Sequence, residues 1–261
     1  MTTRNYEFIK TETKDRVLIV TINRPESFNS LHPAANREMG DAFDDFAEND
    51  DQWVAIVTGA GEKAFSAGND LKWTAENQGK LEIPPRGFGG LTNRFDMFKP
   101  VIAAVNGVAL GGGFEIALAC DIILASSNAR FGLPEPRVGL AALAGGIHRL
   151  PRQIGLKNAM GMMLTGRHVD AQEAFRLGIA QEIVEPAQLM ERALAWANEI
   201  AACAPLSVRT TKEVALESLG HPLEEASRRE YPAIRKLFKS EDFVEGPRAF
   251  AEKRKPNWKG R

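Results

Sequence analysis

Positions 6–13, mixed apolar and polar, and 16–22, an almost unbroken apolar run, read as two extended segments on either side of Lys14-Asp15, and this pattern predicts a β-hairpin ended by Arg24-Pro25. The period lengthens to that of an amphipathic helix over 32–46, with Asp41, Asp44 and Asp45 on its wet side. Positions 53–57 predict a short apolar strand, turned away by Thr58-Gly59-Ala60-Gly61. FSAGND follows at 65–70, with Asp70 placed to cap a helix from Leu71. Glycine and proline crowd 79–91, which predicts an irregular loop. The stretch 100–121, PVIAAVNGVALGGGFEIALACD, reads as a buried strand, a turn of Gly111, Gly112 and Gly113, and a helix with Glu115 in its first turn. IILAS at 122–126 is another buried strand, and 129–133 an extended piece leading into Pro134-Glu135.

VAIVTG, VIAAVNG and DIILAS are thus three apolar strands, each followed by a turn and a further element, and their alternation with helices predicts an α/β core. After about Arg149 the pattern becomes helical, over 155–164, 171–177, 186–202, 206–219 and 222–238, with 179–184 as the one strand. The chain divides on this reading into a core of residues 1–200 and a helical region of 201–261, suited to a lid or an oligomer surface.

The 261 residues, 44% of them hydrophobic and 26% charged, are enough to bury a substantial core. A net charge of −1 gives no overall pull toward nucleic acid or anionic lipid, and no apolar run reaches membrane-spanning length. MTTRNYEFIK has no signal-peptide character, and Cys120 and Cys203 read as small buried hydrophobes, so a reducing cytoplasm is expected. The basic tail, with Lys253, Arg254, Lys255, Lys259 and Arg261, reads by itself as a solvated surface run.

Several chemistries fail on spacing. Gly107 to Gly113 is not a dinucleotide fingerprint, TGAGEKAF lacks the Lys-Ser/Thr of a P-loop, and no serine sits in a G-x-S-x-G elbow. His32, His148, His168 and His221 show no metal spacing, and no metal is expected. What remains is two glycine turns, Ala67-Gly68-Asn69 and Gly111-Gly112-Gly113, each opening a helix. Together they could offer two backbone N–H donors to one oxygen; each alone equally serves tight strand-to-helix packing. Glu115 is favoured by a helix dipole in any case, yet FEIALAC encloses it in apolar side chains, where a carboxylate is paired, hydrogen-bonded or raised in pKa. Glu135 stands in a similar setting and is a candidate second acid or base.

FSAGNDL at 65–71, AAVNGVALGGGFEIALACDI at 103–122, FGLPEPRVGL at 131–140 and AGGIHRL at 144–150 resemble the crotonase, or enoyl-CoA hydratase/isomerase, superfamily. NRPESFNSL at 23–31 and AFAEKRKPNWKGR at the end are similar to its two terminal signatures. The resemblance implies an α/β spiral of ββα units with a helical C-terminal trimerisation region, and a homotrimer or a dimer of trimers. It places the oxyanion-hole N–H groups at Asn69 and Gly112, the paired catalytic glutamates at Glu115 and Glu135, and coenzyme A contacts at the Ala67 backbone and Lys253. It implies an acyl-CoA substrate, with coenzyme A as part of that substrate and no separate cofactor.

The implied reaction is hydration of a 2-enoyl-CoA or its reverse. A double-bond isomerase, or a non-catalytic CoA-thioester or RNA-binding relative, are the other readings; both glutamates and the near-neutral charge speak against the last. Ala142 and Leu143 replace the usual proline and Gly/Asp, and His148 the usual glutamine. Leu143 is read either as lining the acyl pocket or as packing under the Gly145-Gly146 pair. The segment 240–261 looks particularly like carnitinyl-CoA dehydratases, which makes a branched or polar acyl group an expectation.

Overall fold

The computed structural model describes residues 4–80, 82 and 84–261, so part of the expected 79–91 loop, residues 81 and 83, lies outside the described residues. β1 (Ile9–Lys14) and β2 (Val17–Ile22) form the expected antiparallel hairpin, with Asp15 in the left-handed region at its turn. α1 (Pro33–Glu48) begins where Pro33 supplies a preset φ and His32 Nδ1 accepts from Ala35 N–H at 3.1 Å. β3 (Val54–Gly59), β4 (Ala64–Ser66) and α2 (Leu71–Glu76) follow; Thr58 and Gly59 complete the strand rather than turn it. Asp70 caps α2 as expected, accepting from Trp73 N–H at 3.0 Å.

The strand expected before the glycine turn is in fact two. β5 (Val101–Val105) and β6 (Val108–Leu110) belong to different sheets, and the corner between them is held by Asn106, whose amide donates to Gly59 O and Gly61 O and accepts from Gly59 N–H. Apolar side chains on both sides of the corner hide it from a hydrophobicity pattern. α3 (Gly112–Ala119), β7 (Ile122–Ser126) and β8 (Arg130–Gly132) come next, then a 3₁₀ turn, Glu135–Val138. β3–β4, β5–β6 and β7–β8 therefore repeat one unit, a strand in each of two sheets and then a helical turn.

Beyond this lie α4 (Gly146–Ile154), α5 (Leu156–Thr165), β9 (His168–Asp170), α6 (Ala171–Arg176) and β10 (Glu182–Val184). α7 (Leu189–Ala201), α8 (Pro205–Ser218), α9 (Leu223–Arg228), α10 (Pro232–Phe238) and α11 (Glu241–Ala251) complete the chain. The helix expected over 222–238 breaks in two, because Pro232 cannot donate a helical hydrogen bond and starts α10 instead. α4, β9 and α11 add to the elements expected, and Cys203 is exposed while Cys120 is buried.

The larger sheet runs β1-β2-β3-β5-β7-β10, parallel from β2 onward, and the smaller runs β4-β6-β8-β9. α7 covers one face of the larger sheet, packing Leu189, Ala193 and Ala197 on Val17, Val54, Ile56, Ile102 and Leu124. The other face packs with Phe43, Phe65, Phe114 and Phe131 in the main core. Burial on both faces explains why these strands read as unbroken apolar runs. α8 is tied back to this body by Lys212, which pairs with Asp121 at 2.7 Å and donates to Lys99 O at 3.0 Å.

Candidate active site

The turn after β4 is gripped along its length by residues 28–31. Phe28 and Asn29 both stand in the left-handed region, φ 52° and 54°, which turns their carbonyls inward. Phe28 O accepts from Ala67 N–H (2.9 Å) and Asn29 O from Ser66 Oγ (2.8 Å). Leu31 N–H donates to Gly68 O (2.8 Å), and Asp70 N–H donates to Leu31 O (3.2 Å). Gly68 N–H is taken by Ser66 Oγ at 3.1 Å. This parallel register uses the groups of Gly68 and Asp70 and turns those of Asn69 away from Leu31. Among the described residues, the Asn69 N–H is consequently the one in the run 67–70 that donates to nothing, while its side chain is held by Thr74 Oγ1 (2.9 Å).

That turn lies directly against the N-terminus of α3. Gly68 has φ 87°, and a Cβ there would stand 2.7 Å from Gly112 N, so only glycine permits the approach. Gly112 is the first residue of α3 and has no acceptor for its N–H within the helix. On its other side the Phe88 ring lies so close that a Cβ on Gly112 would come within 2.5 Å of it. The structure thus brings the two glycine turns of the sequence together, with the N–H groups of Asn69 and Gly112 both uncommitted among the described residues.

Glu115 projects from the first turn of α3 and is 3% exposed. Its Oε1 accepts from Gly146 N–H at 2.8 Å, the first donor of α4. Burial pushes its carboxyl up to about 7, against the pull of Gly146 N–H, with the charge of Glu135 adding to the rise and Ala144 N–H and Arg149 opposing it. Glu135 is 9% exposed, and a Cβ on Gly111 would stand 3.2 Å from its Oε1, which places it beside the same glycine turn. Burial raises its carboxyl too, and its Oε2 has no hydrogen-bond partner among the described residues. An unpartnered buried carboxyl oxygen costs about 1–3 kcal/mol or more, a cost met by the rest of the fold. Two buried carboxyls of raised pKa flank one helix N-terminus, an arrangement able to hold and exchange a proton near neutral pH.

The remaining candidates are placed less centrally. Ala67 is half-buried and its own N–H is bound to Phe28 O. Leu143 is 71% exposed, so it does not pack under the glycine pair; with Leu91, Leu118, Ala144, His148 and Arg149 it lines a groove of about 1030 Å³. Lys253 is exposed just beyond α11, and no hydrogen bond or ion pair among the described residues joins it to the glutamates. Two neighbours of Glu115 carried no role in the sequence pattern: Gly146, whose N–H it accepts from, and Arg149, whose charge opposes its rise; Arg149 is half-buried and donates to Thr92 O at 2.9 Å. The Gly145-Gly146 pair at the start of α4 was the available signal. Among the described residues no group of His, Cys, Asp and Glu could hold a metal ion, and no helix is long and apolar enough to cross a membrane.

The folding of the ββ repeats around one pair of turns defines a crotonase-type spiral. The sequence pattern of the enoyl-CoA hydratase/isomerase family matches residues 12–261. The chain is 44% identical to carnitinyl-CoA dehydratases of Citrobacter koseri and Escherichia coli K12, over 94% of its own length and 95% of theirs. Its backbone superposes on the enoyl-CoA hydratase of Mycobacterium tuberculosis with a TM-score of 0.91 at 40% identity, covering 97% of this chain and 99% of that one. The enoyl-CoA hydratase of Bacillus anthracis gives 0.89 at 36% identity, over 98% and 100%. The chain belongs to the enoyl-CoA hydratase/isomerase family of the crotonase superfamily, and the expected α/β spiral is its fold.

Proposed function

We propose that this enzyme adds water reversibly across the α,β double bond of an acyl-CoA thioester, or runs the same reaction as a dehydration of a 3-hydroxyacyl-CoA. The observation that carries the reading is the pair of buried, raised glutamates, Glu115 and Glu135, beside the N-terminus of α3. The thioester carbonyl accepts from Asn69 and Gly112 N–H, and these donors stabilise the enolate oxygen that develops as water adds. Loss of one such donor costs about 2.7–4 kcal/mol in comparable sites, so the two N–H groups are able to carry much of the rate enhancement. The ionised member of the glutamate pair takes a proton from water as its oxygen bonds to Cβ. The protonated member gives a proton to Cα, and the pair ends with its proton exchanged. Burial raises both carboxyls, and the charge of Glu135 adds to the rise at Glu115, which favours one neutral member beside one ionised member.

In this reading Ala67 and Lys253 contact the coenzyme A portion, Leu143 borders the acyl group, and the working unit is a homotrimer or hexamer in the cytoplasm. The 44% identity to carnitinyl-CoA dehydratases favours a second version in which the acyl group is polar or branched rather than a fatty chain. Loss of the conjugated-thioester absorbance with crotonyl-CoA, together with a product heavier by one water, separates hydration from isomerisation. Relative kcat/KM for short, long, aromatic and carnitinyl CoA esters separates the two versions. A folded enzyme that consumes none of these esters would overturn the proposal.

A further inference from the structure

Arg24 lies far in sequence from the glycine turns, yet its guanidinium reaches them through two contacts made by one nitrogen. Nη1 donates to Ser30 O at 2.5 Å and to Asp70 Oδ2 at 2.9 Å. Both side chains of the ion pair are nearly buried, 12% exposed for Arg24 and 11% for Asp70. Asp70 has three duties at once: its Oδ1 caps α2 through Trp73 N–H, its Oδ2 binds Arg24, and its own N–H donates to Leu31 O. Burial alone would raise the Asp70 carboxyl; Trp73 N–H and Arg24 more than offset this and hold it below the ordinary aspartate range. Arg24 is anchored in turn, since its N–H donates to Asn29 Oδ1 at 3.0 Å and its guanidinium faces the Phe8 ring.

We propose that Arg24 is a positioning residue for the Asn69 N–H, acting through Asp70 and Ser30. The geometry leads there in two steps. Asn69 is flanked by Gly68 and Asp70, whose backbone groups are both bonded to Leu31, so the direction of the Asn69 N–H follows from where Leu31 and Asp70 stand. Arg24 Nη1 joins Ser30, the residue before Leu31, to the Asp70 side chain, and so fixes those two against each other. A guanidinium suits this because one planar nitrogen serves two acceptors in fixed directions, whereas a lysine ammonium is a flexible point charge. Within this arrangement Arg24 touches no reacting atom; its effect appears as polarisation of the carbonyl and not as binding.

The inference rests on the oxyanion-hole reading of Asn69 and Gly112, so the test separates the two. The probe is a conjugated acyl-CoA thioester whose carbonyl stretch is followed by infrared difference spectroscopy, alongside steady-state kinetics with crotonyl-CoA. In the parent enzyme the carbonyl band moves to lower frequency on binding; an unshifted band there overturns the oxyanion-hole reading itself. With the parent shifted, Arg24→Gln and Asp70→Asn should lose at least half of the shift and lower kcat by roughly 10-fold or more, with KM changed less than threefold. Asn remains an effective helix cap, so Asp70→Asn removes the ion pair while keeping the start of α2. Arg24→Lys should restore part of the shift. Glu115→Gln should lower kcat while leaving the band shifted. If Arg24→Gln and Asp70→Asn keep the full band shift, or change KM instead of kcat, the positioning role is wrong.

Discussion

Glu115 should make the folded protein less stable as pH rises, and Glu115→Gln should remove that penalty. In the unfolded chain this carboxyl releases its proton near 4.5, whereas burial beside the α3 N-terminus holds the proton until about 7 in the folded state. Between those values the folded state binds more protons than the unfolded state, so stability contributed by the neutral carboxyl is full below 4.5 and is lost as pH climbs through 7. The loss between pH 5 and 8 amounts to about 2–3 kcal/mol. At roughly 2–4 °C per kcal/mol for a chain of this size, that is about 5–10 °C in Tm. The glutamine keeps an oxygen for Gly146 N–H, and any fixed cost of its extra amide hydrogens is the same at both pH values and cancels. Melts of parent and variant at pH 5 and pH 8 should therefore show the variant gaining on the parent by this amount at pH 8. A difference that stays constant across the two pH values would refute the buried, raised carboxyl.

The same carboxyl should place a limb near pH 7 in the kcat/KM profile, reported by initial rates across pH 5–9; a profile flat through 7 would detach Glu115 from the chemistry. Gly68→Ala puts a Cβ 2.7 Å from Gly112 N and should separate the two turns, lowering kcat by roughly 100-fold in the crotonyl-CoA assay. Lys212→Met leaves Asp121 with Val101 N–H but without its cation, and should cost about 1–3 kcal/mol in urea unfolding.

Strands β2, β3, β5 and β7 were legible because both of their faces are buried and their residues are apolar without interruption. The corner at Asn106-Gly107 was not, since the residues on either side are equally apolar and the turn is made by a side chain bonding to Gly59 and Gly61. α4 escaped notice because it begins between glycines and carries Pro151, against the usual helix signals. Glu115 announced itself through the apolar residues around it, a local property of one helix. Its donor Gly146 and its neighbour Arg149 come from residues some 30 positions on, and the Arg24–Asp70 pair spans 46. Spacing rules reach only the next helical turn or strand partner, so partners assembled by the spiral itself stayed out of view.

The crotonyl-CoA hydration assay, run on parent, Glu115→Gln and Glu135→Gln, tests the central claim most directly. The two glutamates acting as one proton-transfer pair predict that the parent removes the conjugated-thioester absorbance and that each variant loses kcat by orders of magnitude with CoA-thioester binding largely intact. Near-parental turnover in either variant would contradict the account.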